Sequence, residues 1–418
     1  MKKWHWSLLA LFSILILAAC NPGDGSNEND STEDNESAAE GVAELTFWSY
    51  VNPNQHDGQL LMDMVDEFNE ANENIEITYE YIPHGEIDQQ VSVAVAGGGL
   101  PDILMIDNPD HARYASMNVL EDITDKVQEW GEEAQYFEGP WASTIYEGKN
   151  YGVPFTTNAL ALFVNNDMLN EKGIEVPTTW DELTTASQQL TEGNTLGFSM
   201  SAISGPEGMF QFLPFLLSTG ANYDQLDDPN AYRAMEFVTN MVDEGYMSRE
   251  TLNWGQGEVA SQFTAGNAAM MVNGPWMLPQ VRNDAPDMDF SIALIPKDSE
   301  YASVLGGENL ALPKGDHVEE AWTFLSWLSS KEQAMRFSEG SGQFSPRVDV
   351  SDELGWEGDP HLSVFLEAID NAQPRGPHPA WNEIAEAIQN QVHNSITGIS
   401  TPEEATEQAH QDVIEIIE

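Results

Sequence analysis

A chain of 418 residues is too long for one ordinary hydrophobic core, and with 41% hydrophobic residues and 12 tryptophans it can fill two. Its 70 Asp and Glu against 15 Lys and Arg give a formal charge of -55, a surface that repels nucleic-acid phosphates and anionic head groups, so polynucleotide binding is disfavoured from the start. The same acidity suits a salty medium that screens self-repulsion, or an alkaline one.

Residues 1–19 read as an export address: Lys2 and Lys3, an apolar run over residues 8–19 broken only by Ser13, and small residues before Cys20. The run is too short to span a bilayer comfortably. It looks like a bacterial lipoprotein signal, which would leave Cys20 as the lipidated first residue and anchor the protein by lipid alone to the outer face of the cytoplasmic membrane. Cys20 is the only cysteine, so disulfides and cysteine metal sites are excluded. Residues 20–41 hold Asn, Asp, Glu, Ser and Gly with no basic residue, and read as a disordered acidic tether.

Folded structure is predicted from residue 42. Leu45-Thr46-Phe47-Trp48-Ser49-Tyr50 is a β-rich run; Leu60, Leu61, Met64, Val65 and Phe68 have helical spacing; residues 75–82 alternate as a strand. A helix through Ile87, Val91 and Ala94 stops at Gly97-Gly98-Gly99, and the buried run Ile103-Leu104-Met105-Ile106 ends at Asp107-Asn108-Pro109. Strand, helix, strand, helix, strand is the pattern of a parallel sheet with crossover helices.

The stretch from Gly148 to Asp167 organises the rest. An extended segment through Val153-Pro154-Phe155 resumes as the apolar run Ala159-Leu160-Ala161-Leu162-Phe163-Val164, with Thr156-Thr157-Asn158 between. Three polar residues inside a strand buried on both faces need partners or water, and a crossing between two lobes beside a wet cleft supplies both. The alternation then restarts. Thr179 and Glu182 form a capping box, residues 196–199 read as a strand, and residues 209–217 as an apolar helix. A helix comes next through Tyr232, Met235, Val238 and Met241, and then a strand, Ala268 to Val272, that runs into Asn273-Gly274-Pro275-Trp276. Residues 290–295 and 309–312 are extended, 321–337 one helix, 343–347 a breaker-rich crossing, and three helical segments close the chain, the last boxed by Thr401 and Glu404.

In this order, Thr46-Phe47-Trp48, Gly99-Leu100-Pro101-Asp102, Gly152-Val153-Pro154-Phe155, Pro177-Thr178-Thr179-Trp180, Asn273-Gly274-Pro275-Trp276, Gly306-Gly307-Glu308-Asn309 and Ser345-Pro346-Arg347 resemble family 1 extracellular solute-binding proteins, the sugar-capturing subunits of ABC importers. The resemblance implies an α/β clamshell of two lobes, each a mainly parallel sheet flanked by helices. Three crossings, near residues 155–160, 296–307 and 343–348, would join them. Lobe one would be 42–157 plus 305–345, and lobe two 158–304 plus 346–418. It further implies a monomer without chemistry of its own, delivering an oligosaccharide to the permease subunits.

A sugar has apolar C–H faces and a rim of hydroxyls, so its site needs aromatic plates with carboxylate, amide and Arg groups at the edge. Trp276 and Trp381 match stacking positions of the family. Trp48, at the end of the first strand, faces the cleft or the sheet. Asp107 and Asn108 stand where the third strand opens into a loop; Asp107 would accept two sugar hydroxyls, or cap the helix after it. Asn158 aligns with a polar contact in the first crossing. Gly307, Glu308 and Asn309 sit in the second crossing, where glycine lets backbone approach a ligand; Asn309 would otherwise bridge strands. Arg347 would hydrogen-bond sugar or hold an ion pair between lobes, and His56 and Asp57 are further candidates. Trp180, Trp322 and Trp327 lie in helical patterns and read as packing residues. No P-loop, zinc-protease or nucleophile-elbow motif occurs, and no cofactor, metal ligand or catalytic residue is assigned. Two other readings stay open: a secreted glycoside hydrolase, and the same fold holding a polyamine.

Overall fold

The computed structural model describes residues 41–376 and 378–418, so the export leader, Cys20 and the tether up to residue 40 lie outside the described residues. The strands that carry the architecture are β1 (Ala43–Ser49), β2 (Ile75–Tyr81), β3 (Ile103–Asp107), β4 (Gly152–Pro154), β5 (Ala161–Asn165), β6 (Met270–Asn273), β7 (Phe290–Ala293), β8 (Ser303–Leu305), β9 (Glu308–Ala311) and β10 (Ala372–Pro374). Among the described residues no helix is long and apolar enough to cross a membrane.

One sheet has the order β2-β1-β3-β9-β4. In β1 the alternation works as expected: Leu45, Phe47 and Ser49 are buried, and Phe47 packs edge-on to Tyr79 and Phe324 at 5.6 and 5.7 Å between ring centroids. Beneath it lie helices His56–Ala71 and Val318–Leu328, whose Phe68 and Phe324 rings meet at 4.9 Å. Ile87, Val91 and Tyr114 cover the other face, where Leu104 and Ile106 point. A second sheet has the order β6-β5-β7, with residues 196–199 bridged in parallel along β6. Every residue of β5 is buried, because this central strand is covered on both sides. Phe212, Phe215, Met235, Ile384 and Ile388 pack on one face, and on the other Phe263 and Phe365 meet Phe163 of the strand itself. Each sheet therefore has its own two-sided core.

Both sheets are mixed rather than mainly parallel. β1, β2 and β3 run parallel, but β9 is antiparallel to β3 and β4, and β5 is antiparallel to β6 and β7. The crossings explain this. β9 enters its sheet, and β5 its own, from the end where the other strands finish, so each must run against its neighbours. At that end the three crossing segments lie side by side. Thr157 N–H donates to Phe344 O (2.9 Å), Asn158 N–H to Gly306 O (3.1 Å) and Gly306 N–H to Asn158 O (2.9 Å). Thr156, Thr157 and Asn158 are all buried, so the polar triplet does sit where crossing backbones meet it.

Two local readings change. The helix expected over 321–337 is two helices, Val318–Leu328 and Lys331–Ser341, because Ser330 caps a new start by accepting from Gln333 N–H at 3.5 Å. At Thr179 only half the box forms: its hydroxyl accepts from Glu182 N–H, while the Glu182 carboxylate turns to Thr178. The Thr401–Glu404 box is complete.

Candidate functional site

The sheet ends meet across a cleft of 580 Å³. Register sets one wall. In the antiparallel β3–β9 pair Asp107 stands directly opposite Glu308, so two carboxylates are fixed side by side at one end of the sheet. Like charges so placed repel. Arg375, just past β10, answers one of them: its Nη1 and Nη2 donate to Asp107 Oδ2 (2.8 Å) and Oδ1 (2.5 Å). Arg375 also reaches Asn108 Oδ1 (3.2 Å) and Leu305 O (3.3 Å), and lies 4.5 Å over the Phe210 ring. β10 pairs in parallel with β8, and this pairing carries the guanidinium to the cleft.

The two carboxylates therefore behave differently. Burial alone would raise the Asp107 carboxyl, but the Arg375 guanidinium and the His84 imidazole together outweigh it and hold the group at about 2. Burial, with the Asp107 charge adding to it, pushes Glu308 up to about 7 although Thr156 hydrogen-bonds it. Thr156 Oγ1 donates to Glu308 Oε2 and accepts from Glu308 N–H at 3.1 Å, and Tyr50 OH donates to Oε1 at 3.4 Å. Behind this wall Asp110 is pushed up to about 7 by burial and by the Asp107 and Asp88 charges; its Oδ1 accepts from Asn382 at 2.6 Å.

The facing wall comes from the second sheet. β6 runs into Gly274-Pro275, and the half-buried Trp276 ring folds back over Gly274, where a Cβ would lie 2.0 Å from the indole. Only glycine leaves that space. Phe210, from helix Pro206–Ser218, lies near-parallel to Trp276 at 6.2 Å and 27°. Asn158 and Gly307 line the cleft where the crossings meet. Gly307 has φ +134°, and a Cβ there would sit 2.3 Å from Thr156 O.

Asp107, Asn158, Trp276, Gly307 and Glu308 are thus brought together, along with His56 and Asp57. Asn108 is buried just behind, on Arg375. Four expected ligand residues lie elsewhere. Trp48 lies along its sheet, with Nε1 donating to Glu80 on β2 at 2.9 Å; Tyr50, beyond the strand end, lines the cleft instead. Trp381 is 1% exposed, edge-on to Tyr223 at 5.1 Å, because the first turn of helix Trp381–Thr397 is pressed into the second core. Asn309 faces away and donates to Ser143 Oγ at 3.0 Å, bridging elements as its alternative reading allowed. Arg347 is 2% exposed and held by Asp349 (2.9 Å), Glu132 (2.7 Å) and Ser329 O (3.1 Å), which makes it a structural ion pair. Sequence reasoning missed Tyr50, His84, Phe210 and Arg375. For Arg375 a signal existed, since it is one of 15 basic residues in a very acidic chain and sits in a breaker-rich Pro374-Arg375-Gly376 turn.

Comparison with known proteins gives concordant matches. Residues 63–364 match the profile of a family described as bacterial extracellular solute-binding protein. A maltotriose-binding protein of Pyrococcus abyssi is 24% identical over 370 residues, 83% of this chain and 77% of its own. A solute-binding protein of an ABC transporter from Thermotoga lettingae, solved with α-D-tagatose, is 25% identical with a TM-score of 0.84, covering 90% of this chain and 100% of its own. A receptor of Streptomyces glaucescens, solved unliganded and with acarbose, is 25% identical with a TM-score of 0.81, covering 88% and 97%.

Proposed function

This chain belongs to the bacterial extracellular solute-binding proteins, and from that premise we propose that it captures a short oligosaccharide between its two lobes and hands it to the permease of an ABC importer. The observation that carries the reading is the pairing of walls: aromatic rings from Trp276 and Phe210 face hydrogen-bonding groups of Asp107, Glu308 and Tyr50 across one cleft. Rings suit the apolar face of a pyranose, and the polar wall suits its rim. The relatives bind maltotriose, tagatose and acarbose, which supports the same chemical class here. Closing the lobes would bury the sugar and shape the surface offered to the permease, a population shift driven by tighter binding to the closed state.

Lobe one comprises 42–157 plus 305–345 and lobe two the remainder, a division supported by the separate cores and by the crossings at 157–158, 306 and 344. The protein is a monomer that performs no turnover. Cys20 carries a lipid that anchors it outside the cytoplasmic membrane, and the net charge of -55 suits a salty medium. Replacing Cys20 with Ser should move the protein from the membrane fraction to the medium; retention on membranes would contradict the anchor.

Thermal denaturation across a panel of di- and trisaccharides, together with product analysis, tests the capture of sugar. At a hundred times Kd a ligand of the folded state adds about 2.7 kcal/mol of stability, so a cognate sugar should raise the melting temperature with no sugar consumed. Hydrolysis of the sugar would contradict the transport reading, and a panel without any shift would contradict the carbohydrate reading.

A further inference from the structure

The cleft holds more carboxylate than its cations neutralise. Arg375 is fully engaged by Asp107, Asn108 and Leu305. His84 also approaches Asp107, with Nε2 at 3.8 Å from Oδ2. Glu308, directly opposite Asp107, has only neutral donors among the described residues, Thr156 Oγ1 and Tyr50 OH. The other acids of the cleft do not relieve this. Glu207 accepts from Gln256 N–H at 2.7 Å, and Asp57 from Gly58 N–H at 2.9 Å.

A second acceptor of the cleft, turned toward Gly306 and Phe210, lacks a donor. Asn158 is 4% exposed and lines the same cleft, and its Oδ1 has no hydrogen-bond partner among the described residues. The two residues are held together by the crossings, Asn158 through its paired bonds to Gly306 and Glu308 through Thr156. A half-buried carboxylate without a counter-cation, an unpartnered amide oxygen and a pair of near-parallel rings favour a flat ligand carrying positive charge.

We propose that the cargo carries a protonated amine facing Glu308, and that its class is a short oligosaccharide of unacetylated 2-amino-2-deoxyhexose units. The inference rests on the carbohydrate reading above and adds the charge. The rings call for a sugar and the uncompensated carboxylate for a cation, and an amino sugar satisfies both. Anionic sugars such as uronates meet Glu308, Asp57 and Glu207 with only the His56 and His84 imidazoles to answer them, and are rejected. An N-acetyl group removes the charge that Glu308 would pair. Because burial and the neighbouring Asp107 hold Glu308 at about 7, a bound ammonium should draw it back down, so that binding releases a proton from Glu308.

The test is calorimetric titration at about pH 6, below the value of Glu308, in two buffers of different ionisation enthalpy. The probes are the β-1,4-linked glucosamine disaccharide, its N,N′-diacetyl derivative and cellobiose, against the wild-type protein and Glu308→Gln. The amine should bind about tenfold or more tighter than the other two, as expected for a charge-assisted against a neutral hydrogen bond, with net proton release. Glu308→Gln should lose both the preference and the proton. The wild-type comparison stands even if that variant folds poorly. Cellobiose binding as tightly as the amine, or a preference that survives Glu308→Gln, overturns the inference and leaves the carbohydrate reading intact. Absence of binding by all three also overturns it, and only a silent wider sugar panel removes both.

Discussion

Arg375→Met should destabilise the protein by about 3 to 5 kcal/mol, the usual loss when one member of a buried ion pair is removed and its partner stays charged. Asp107 and Arg375 expose only 12% and 5% of their side chains. Register leaves Asp107 beside Glu308, so without the guanidinium the wall holds two facing carboxylates with only the His84 imidazole, 3.8 Å from Asp107, to answer them. Asp107→Asn in the same background should recover much of the loss, because the uncompensated charge is then gone. Denaturant unfolding of the two single variants and the double variant closes a cycle whose coupling term measures the pair. A change within about 1 kcal/mol for Arg375→Met would show that the cleft is wet enough to solvate Asp107 alone.

The same pair has a pH signature. Asp107 sits at about 2 in the folded protein, below its ordinary 3.8. Its contribution to stability is therefore complete above the ordinary value and is lost as pH falls from there through about 2. In Arg375→Met that acid limb should shrink to what the His84 imidazole supplies.

Much of the architecture was legible because burial imposes periodicity. The alternation of β1, the helical spacing of Leu61, Met64, Val65 and Phe68, and the unbroken apolar β5 come directly from which face meets the core. Strand direction was not legible, since an apolar run carries no arrow; only the crossings fix β9 and β5 as antiparallel. Rings were legible as rings, without their orientation. Trp276 reaches the cleft because Gly274 lets it fold back, whereas Trp381 sits at the start of a helix whose Ile384, Ile388, Val392 and Ile396 continue the same buried stripe. That stripe was readable in the sequence and argues for core. Trp48 against Tyr50 was harder, because both lie on the same side of one strand and only its end at Ser49 separates them. Charge partners such as Arg347 with Glu132 and Arg375 with Asp107 are 215 and 268 residues apart, and no local pattern joins them.

The site itself is most directly tested at Trp276. Its ring is half-buried and near-parallel to Phe210, so truncation should reduce sugar affinity by about 1 to 3 kcal/mol, roughly five- to 150-fold in Kd, the worth of one covered ring face. Stability should change less, because the ring is only half-buried and lies at the edge of the second core rather than inside it. Trp276→Phe, which keeps an aromatic plate, should retain most of the affinity. The decisive measurement is therefore calorimetric titration of the cognate sugar into wild-type protein and Trp276→Ala. A Kd weakened about five-fold or more, with the fold intact, is the result expected if the indole grips the cargo between the two sheets. An unchanged Kd would mean that the sugar binds somewhere other than this cleft wall.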